Sequence, residues 1–339
     1  MRLANTMKSR DTHSIDTRRR CVAAGLGLPA LAWTGALRAQ AKPPVIIGWL
    51  SANSREITGP SAFNEGMAAL GWKLGAQYLL EEPYADGRVD RLPGLAQELA
   101  AKKPAVIVAQ PSRSARAVAT AAPTTPIVLA EGDPISTGLV TNLARPGGMI
   151  TGLSNVVSDL NQKMVELLVE CLPKLPRIGF LTDSATAAHG VNVNNVRRAA
   201  ERLRFEAFIV DMSKPEDIEP AVARLAKDKV QALVILSSSW FRTYHAKIMQ
   251  LALAQRWPIV GLGSEVPRQG GLLSYGFDDD GRSRRVAYFV DRILKGAKPG
   301  DLAIEQPTTF HMVLNLKTAK ALGIVIPPSV LVRATLVIE

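Results

Sequence analysis

The sequence predicts an α/β protein with two similar doubly wound parallel-sheet lobes joined by a hinge. After residue 41, short β-branched runs alternate with amphipathic helical stretches, which is typical of parallel sheets covered by helices on both faces. In addition, the segment "RPGGMITGLSN" (145–155) has an echo in "RQGGLLSYGFD" (268–278). A segment that recurs at the same place in two halves of a chain indicates a repeated architecture.

The first 41 residues differ in character from the rest of the chain. Three arginines, Arg18 to Arg20, precede a modestly apolar stretch that ends in Ala39-Gln40-Ala41. This order predicts a secretory signal peptide cleaved after Ala41, and Thr17 before Arg18 and Arg19 also suits a twin-arginine signal, so both export routes stay open. A membrane anchor is the alternative, but the apolar stretch is short and interrupted by glycines and a proline. We therefore expect a periplasmic protein.

Removal of this leader changes what the charge implies. The formal net charge falls from +11 to about +6, and no basic run recurs in the remaining 298 residues. Such a charge calls for no nucleic acid as partner. Cys171 is the only cysteine after residue 41, so we expect no intramolecular disulfide and a small core residue there. No later segment is apolar enough to span a bilayer, and we expect a monomer that does not insert into the membrane after cleavage.

Six apolar runs are candidate strands of the two sheets. They are "VIIGWL" (45–50), "AVIVA" (105–109), "PIVLA" (126–130), "RIGFL" (177–181), "ALVIL" (232–236) and "PIVGL" (258–262). The last three repeat the first three in order, which predicts lobe 1 over residues 42–150 and lobe 2 over residues 151–277. We expect residues 278–310, approximately, to complete lobe 1, and the C-terminal residues 311–339 to complete the lobes.

The repeated segments predict where the chain passes between the lobes. Each follows the strand series of one lobe and contains a glycine pair, Gly147-Gly148 and Gly270-Gly271. Glycine pairs permit the unusual backbone angles of a bend, so we expect these four residues to lie at the hinge; ordinary glycine-containing turns are the alternative. A third crossing is expected within residues 307–323. Three crossings between two lobes produce a cleft that opens and closes.

The candidate ligand site lies where ligands bind open parallel sheets, beyond the carboxyl ends of the strands. Small hydroxyl residues beside helix N-termini offer donors to a carboxylate, although each serine is equally explained as a helix cap. Glu131, Asp133 or Asp183 could face a ligand ammonium, and Trp240 or Tyr275 could stack on an apolar part. The predicted ligand-binding residues are Ser51, Ala52, Gln110, Ser112, Asp133, Asn155, Asp183, Ser184, Ser238, Trp240 and Tyr275.

Catalytic patterns are weak in this sequence. "TGLSNV" lacks the second glycine of a nucleophile elbow, and His189, His245 and His311 have no partner at metal-ligand spacing. No phosphate-binding glycine motif follows a strand after the leader. We therefore predict no catalytic residues, no metal and no cofactor, and a binding protein rather than an enzyme.

Two long blocks carry a resemblance to a known family. "GDPISTGLVTNLARPGG" and the C-terminal block from "RILKGAKPGD" onward resemble ABC-transporter substrate-binding proteins of the tryptophan/tyrosine-binding type. The resemblance implies a type I periplasmic-binding fold and a small-molecule ligand, an amino acid or a small aromatic acid. It also implies, as partners, an ABC permease with its ATPase. The family's binding positions carry over to Ser51, Asp133, Asn155 and Tyr275.

The sequence departs from this family at two strand ends. "AQPSRSA" stands where a Gly-Thr-Pro-like turn is usual, and "LTDSATAAHG" where Asn-Pro is frequent. These departures leave the identity of the ligand open. An exported sensor, or an enzyme built on the same two lobes, is the alternative function.

Overall fold

A computed structural model describes residues 43–154, 157–184, 186 and 189–339, without the side chains of residues 157–159, 239 and 240. The predicted signal peptide and its cleavage after Ala41 lie outside the described residues. Within the described part, no helix is long and apolar enough to cross a membrane.

Five parallel strands form the first sheet, in the spatial order β2-β1-β3-β4-β5. Every residue of β3 and β4 is buried, which agrees with the continuous apolar runs seen in the sequence. The strands are β1 (Val45–Ser51), β2 (Tyr78–Glu81), β3 (Val106–Gln110), β4 (Ile127–Leu129) and β5 (Ile150–Gly152).

Seven strands form the second sheet, in the order β12-β11-β10-β9-β8-β6-β7. All neighbouring pairs are parallel except β10 with β11, which is antiparallel. The strands are β6 (Arg177–Thr182), β7 (Glu206–Asp211), β8 (Ala232–Ile235), β9 (Ile259–Gly261), β10 (Leu273–Phe277), β11 (Phe310–Asn315) and β12 (Leu336–Ile338).

Helices connect most of the parallel strands, as is usual for the crossover connections that parallel strands need. In chain order they are α1 (Arg55–Thr58), α2 (Ser61–Ala69), α3 (Leu92–Ala101), α4 (Ser112–Ala121), α5 (Val157–Cys171), α6 (His189–Leu203), α7 (Ile218–Lys227), α8 (Ser239–Thr243), α9 (His245–Ala254), α10 (Glu265–Arg268), α11 (Asp279–Leu294), α12 (Leu316–Ala321) and α13 (Pro328–Leu331).

The two sheets repeat one topology. The order β7-β6-β8-β9-β10 in the second sheet matches β2-β1-β3-β4-β5 in the first, strand for strand in chain order. The repeated sequence segments lead into β5 and β10, which occupy the same place in this order. The predicted fold class, α/β with two similar doubly wound lobes, is confirmed, and the second sheet adds β11 and β12 beyond the repeat.

Each sheet has its own hydrophobic core. Trp49 and Phe63 pack with Phe289 of α11 on one face of the first sheet, so α11 joins this sheet although it follows β10 of the second sheet in the sequence. Phe180 and Leu314 belong to a core on the second sheet. We call β1–β5 with α1–α4 and α11 lobe 1, and β6–β12 with the remaining helices lobe 2.

Cys171 lies in the core of lobe 2, as a small apolar residue would. Burial raises the pKa of its thiol to about 11, because the thiolate would lose its hydration there. The thiol is therefore protonated and unreactive at physiological pH.

The prediction that the glycine pairs form the hinge is wrong in its placement. Gly147 and Gly148 precede β5, and Gly147 donates a hydrogen bond to Gly300 within lobe 1. Gly271 precedes β10 and donates to Val266 within lobe 2. The strands β5 and β10 do lead to crossings, but from their carboxyl ends, and the glycine pairs lie at their other ends. Each pair makes a turn inside one lobe; Gly147 and Gly148 use positive φ angles of 66° and 62° that glycine adopts freely.

The chain crosses between the lobes at three other places. One crossing joins Ser154 after β5 to α5, a second joins β10 to α11 through Asp278, and a third joins Glu305 to β11. At the third, Glu305 pairs beside Leu153 in an isolated β-bridge, so two of the crossings run side by side. Since these segments are few and short, they can act as a hinge between rigid lobes.

Candidate ligand-binding site

A cavity of about 280 Å³ lies between the carboxyl ends of the two sheets. Lobe 1 contributes the start of α4, the loop after β4 and the first turn of α11. Lobe 2 contributes the ends of β8 and β9, helix α8 and the start of α6. This is the position that ligands take in open parallel sheets.

Helix α4 directs its N-terminus at this cavity. The helix starts directly after β3, with Pro111 as N-cap residue, and the amides of Ser114 and Ala115 donate to the carbonyl of Pro111. The first amides of a helix have no partner within the helix and attract anions. Ser112 and Arg113, the first two residues of α4, both line the cavity.

Two side chains at this helix start lack partners. Ser112 is only 4 % exposed, yet its hydroxyl makes no hydrogen bond among the described residues. Nη2 of Arg113 is also buried, and within the described part of the chain it has neither a hydrogen bond nor an ion pair. Arg113 as a whole is half-buried, but a buried donor atom without a partner is unfavourable, so this corner of the cavity offers donors to an acceptor group such as a carboxylate.

Gly132 brings the loop after β4 against this corner. Its φ is 122°, and a Cβ at this position would lie 2.1 Å from Oγ of Ser112. Both the backbone angle and the close approach require glycine. The loop therefore covers one side of the Ser112 hydroxyl, and the other side of this hydroxyl faces the cavity.

Four charged side chains form an ion-pair network beside this corner, which we call the cleft network: Glu131, Arg242, Asp279 and Arg282. Oε2 of Glu131 lies 3.3 Å from Arg282 and 3.7 Å from Arg242. The carboxylate of Asp279 lies 2.6 Å from Arg282 and 3.4 Å from Arg242. Two carboxylates thus face two guanidiniums.

Electrostatics in the cleft network favour the charged forms. Burial acts to raise the pKa of Asp279, but the guanidiniums of Arg282 and Arg242 outweigh it and hold that pKa below its usual value. Burial likewise opposes the charge of Arg242, while Asp279 and Glu131 raise its pKa on balance. Asp279 and Arg242 are therefore both charged at physiological pH.

Arg242 connects the two lobes. It belongs to α8 of lobe 2, whereas Glu131 and Asp279 belong to lobe 1. Of the ion pairs between described residues, only those of Arg242 join one lobe to the other. Gly87 of lobe 1 also approaches Thr243, where an added Cβ would lie 3.4 Å from the threonine side chain. The lobes are therefore closed on each other at this side of the cavity.

The remaining wall of the cavity is mostly apolar. Its aliphatic and aromatic residues come from lobe 2, including the end of β10: Val191, Ile235, Leu236, Phe241, Leu262, Val266 and Phe277. Phe277 also lies under the guanidinium of Arg282, 5.3 Å from ring centroid to Cζ, which holds the ring in place.

His245 is a polar residue in this apolar wall. Its Nδ1 lies 2.9 Å from Oε1 of Gln269, and its Nε2 is buried without a partner in the described residues. Burial lowers the pKa of His245, and Arg242 adds to this effect, while Gln269 and Glu265 oppose it. The imidazole is therefore neutral at physiological pH.

Three of the predicted ligand-binding residues line the cavity: Ser112, Asp133 and Ser238. Asp133 uses Oδ1 to accept the amides of Ile135 and Ser136 at 3.1 and 3.0 Å, so it also caps its own turn. Ser238 donates to the carboxylate of Asp183 at 2.8 Å. Asn155 and the side chain of Trp240 lie outside the described residues.

The end of β1 belongs to the core and not to the cavity, contrary to the sequence prediction. The hydroxyl of Ser51 pairs with that of Thr58 at 2.7 Å, and Ala52 is fully buried among apolar residues. The side-chain amide of Gln110 donates to the carbonyl of Thr58. The short helix α1 thus covers this strand end and supplies partners for Ser51 and Gln110, whereas the buried side chain of Asn53 has no partner among the described residues.

Three further predicted residues also face elsewhere. Asp183 is buried and holds Ser238, so it supports the cavity wall without lining it. Ser184 is exposed and donates to Asp211 through both its amide and its hydroxyl. Tyr275 stacks on Phe310 at 5.8 Å between ring centroids, on the face of β10 that packs against the core of lobe 2.

Sequence reasoning missed the arginines of the site. Only Arg113 had a signal in the sequence, because it directly follows Ser112, a predicted site residue between a strand and a helix. Arg242 and Arg282 carry no such signal, because their meeting with Glu131 depends on how the two lobes pack. Among the described residues, no three His, Cys, Asp or Glu side chains come together as a metal site would need.

Comparisons with known proteins agree with this geometry. A family described as "ABC transporter substrate binding protein" matches residues 46–338. The chain is 23% identical over 261 residues to a tyrosine-binding protein of Clostridioides difficile, covering 77% of this chain and 75% of that protein.

Two solved structures share the fold closely. One is an ABC domain in complex with L-Trp from Streptococcus pneumoniae, with a TM-score of 0.80 and 26% identity over 87% of this chain and 100% of that one. The other is a conserved domain protein from Vibrio cholerae, with a TM-score of 0.80 and 25% identity over 86% of this chain and 99% of that one.

Proposed function

Since the chain belongs to the family of ABC transporter substrate-binding proteins, we propose that it is the periplasmic solute-binding component of an ABC importer. In this proposal it is exported by its N-terminal leader, binds a small molecule that carries a carboxylate between its lobes, and delivers it to a permease that is driven by an ATPase. The single observation that carries the proposal is the cavity corner where Ser112 and Arg113 lack partners.

The cavity can convert binding into closure. The carboxylate site is in lobe 1, and the apolar wall is in lobe 2. A ligand that contacts both walls binds the closed state better than the open one, and this difference in affinity shifts the equilibrium towards closure. A permease can then distinguish the loaded protein from the empty one by the arrangement of its lobes.

The class of solute follows from the site and from the relatives. One related protein is named as a tyrosine-binding protein, and another was crystallised with L-Trp. Aromatic side chains therefore fit clefts of this kind. We propose an aromatic or similarly apolar solute with one carboxylate for this chain. The carboxylate would accept hydrogen bonds from Ser112 and Arg113, and the ring would contact the apolar wall.

A thermal-shift screen of aromatic amino acids and aromatic carboxylates on the purified protein tests the binding function. A ligand at 100 times its Kd stabilises a protein by roughly 2.7 kcal/mol, which is a readily measured shift. Hits should disappear in Arg113→Ala and persist in Arg116→Ala, because Arg116 is an exposed residue of the same helix. If no solute of either class stabilises the protein, the binding function proposed here is wrong.

Uptake measurements test the transport role. Cells that lack this protein should lose high-affinity uptake of the solute found in the screen, and the wild-type chain should restore it. Restoration by Arg113→Ala at low solute concentration would contradict the proposal, since this variant should not load.

A further inference from the structure

We propose that His245 is a specificity-determining residue of the cavity, because its Nε2 accepts a hydrogen bond from a donor on the ring of the solute. The cavity then selects rings that carry an O–H or N–H group, such as phenol or indole, over rings of the same shape that carry none. This inference rests on the proposed function, because it takes the cavity between the lobes as the ligand site.

The contact with Gln269 fixes which nitrogen of His245 carries the proton. Nδ1 of His245 lies 2.9 Å from Oε1 of Gln269. That amide oxygen can only accept a hydrogen bond, so Nδ1 must be the donor. Burial lowers the pKa of His245, so the ring is neutral near neutral pH, and its second nitrogen, Nε2, carries a lone pair and no proton. His245 therefore presents a hydrogen-bond acceptor at Nε2.

This acceptor has no donor in the described part of the chain. Nε2 of His245 is buried and makes no hydrogen bond there, and His245 lines the cavity. A buried acceptor that stays unpaired is unfavourable, because it has lost its hydration without gaining a partner. A donor on a ligand in the cavity would restore the missing hydrogen bond.

The surroundings of His245 fit a ring. Phe241 and Val266 belong to one apolar cluster of lobe 2 and line the cavity together with Leu262 and His245. Aromatic and aliphatic walls favour a flat apolar group. A volume of about 280 Å³ is near the lower end for small-molecule sites, which suits one ring system. An acceptor within such a wall meets the edge of the ring and not the charged end of the solute.

Burial also indicates that the donor at this place is neutral. Burial is the largest effect on the pKa of His245 and disfavours a positive charge there, while the charges of Glu265 and Arg242 act on that pKa in opposite directions. A phenol O–H or an indole N–H brings a donor into this wall without bringing a charge. These two groups therefore match Nε2 of His245.

The charged end of the solute has acceptors of its own elsewhere in the cavity. Asp133 lines the cavity from lobe 1, as the start of α4 does, and forms no ion pair among the residues that the structure describes. Oδ1 of Asn192 also lines the cavity and is buried without a described partner. Glu131 already pairs with two guanidiniums, and Asp183 does not line the cavity. Of the three acids that the sequence suggests for a ligand ammonium, Asp133 is thus the one with room for it, and His245 is left for the ring.

Matched ligand pairs on the wild-type protein test the inference. Calorimetry near neutral pH compares the best solute of the thermal-shift screen with an analogue that lacks the ring donor. The pairs are L-tyrosine with L-phenylalanine, and L-tryptophan with 3-(benzothiophen-3-yl)-L-alanine, in which sulfur replaces the indole N–H. We expect the member with the donor to bind at least about tenfold more tightly, which corresponds to about 1.4 kcal/mol. Without an acceptor in the wall the preference would be reversed, because the donor would lose its hydration for nothing.

His245→Phe assigns the preference to this residue, since it removes the acceptor and keeps a flat ring. The variant should lose at least about tenfold in affinity for the solute with the donor, and it should bind the analogue at least as tightly as wild type does. A merely structural role of His245 would weaken both members of the pair alike. His311→Phe is the control, because His311 of β11 does not line the cavity, and it should keep the wild-type preference. If His245→Phe has a lowered melting temperature, His245→Leu serves as a second variant without the acceptor.

The outcomes separate this inference from the proposed function. If the two members of the pair bind equally well, or the analogue binds more tightly, the inference is overturned and the binding function stands. The same holds if the best solute of the screen carries no ring donor. An unchanged preference in His245→Phe, or an equal loss for both members in His245→Phe and His245→Leu, also overturns it. If no solute binds at all, both the inference and the binding function fail.

Discussion

The equivalent strands β3 and β8 show how two copies of one topology have diverged at the ligand site. Each strand is followed by a buried serine that lines the cavity, Ser112 after β3 in lobe 1 and Ser238 after β8 in lobe 2. Ser238 donates to Asp183 of its own lobe, whereas Ser112 and the adjacent Arg113 have no partner within the described residues. The same position in the fold thus serves structure in lobe 2 and leaves donors for a ligand in lobe 1.

This difference indicates that the two lobes have different roles in ligand binding. Lobe 1 holds the donors at the start of α4 that lack partners among the described residues, so it can capture a carboxylate before the cleft closes. Lobe 2 contributes apolar surface and Arg242, which pairs with Glu131 and Asp279 only when the lobes are together. Binding to lobe 1 followed by closure of lobe 2 is the order of events that the contacts favour.

The largest expected effect follows from removing Arg113, the cation at the start of α4 that lines the cavity. Arg113→Ala should weaken ligand binding by about 1.5–3 kcal/mol, roughly 10- to 150-fold in Kd, because it removes a hydrogen bond to a charged group. Calorimetry with the solute found by screening measures this change. Arg116→Ala, on the exposed face of α4, is the control, and an equal loss in both variants would mean that the helix rather than the cation matters.

The second effect tests the closing role of lobe 2. Arg242→Gln removes the ion pairs that join the lobes and should lower the ratio of closed to open protein several-fold, on the order of 1 kcal/mol for a partly exposed pair. Small-angle X-ray scattering of the ligand-free protein should show a larger radius of gyration than in wild type. Arg284→Gln, which removes the exposed pair of Arg284 with Glu65 within lobe 1, should leave the radius unchanged.

An unchanged radius of gyration in Arg242→Gln would show that the cleft network does not hold the lobes together. The apolar contacts across the cleft would then have to supply the closing free energy by themselves.

The two equivalent serines should respond in opposite ways to alanine. Ser112→Ala should weaken binding and leave the melting temperature of the empty protein nearly unchanged, because its hydroxyl has no partner to lose among the described residues. Ser238→Ala removes a donor from buried Asp183 and should lower the free energy of unfolding by about 1–3 kcal/mol. Melting temperatures and affinities of both variants measure the contrast, and the reverse pattern would contradict the assignment of roles to the two lobes.

The smallest effect concerns pH. His245 has a folded-state pKa below its usual value of about 6.5, so the unfolded chain binds the proton more readily. The stability that comes from neutral His245 is fully present above pH 6.5, approximately, and is lost as the pH falls from there through the folded-state pKa. Chemical denaturation between neutral and mildly acidic pH should show this loss in wild type.

His245→Gln should flatten that part of the stability profile, because glutamine does not titrate. The depressed pKa of Asp279 acts in a separate and more acidic range, below its usual value of about 3.9. If the variant kept the whole decline between neutral and mildly acidic pH, another group would be responsible for it.

The sequence was a good guide to the fold but a partial guide to the site. All six candidate strands exist, with shifts of at most one residue at each end, since continuous apolar runs report burial on both faces of a sheet. The strands that were missed are β2, β5, β7, β10, β11 and β12. Of these, β2, β5, β7 and β12 lie at sheet edges, and β5 and β12 are only three residues long. The glycine pairs correctly indicated that β5 and β10 lead to interlobe crossings. The pairs themselves lie before these strands, whereas the crossings follow them.

What the sequence by itself determined is the order of strands and helices, the internal repeat, and the family to which the chain belongs. These features depend on local patterns of apolar residues and on long matching segments. Tertiary structure alone decided which strand ends face the ligand cavity. Ser51 and Ser112 look alike in sequence, but α1 folds over Ser51 and supplies Thr58 as its partner, while nothing described supplies one for Ser112. Likewise, Glu131 meets Arg242 only because two lobes that are built from distant segments close on each other, and a contact between distant segments leaves no local pattern in the chain.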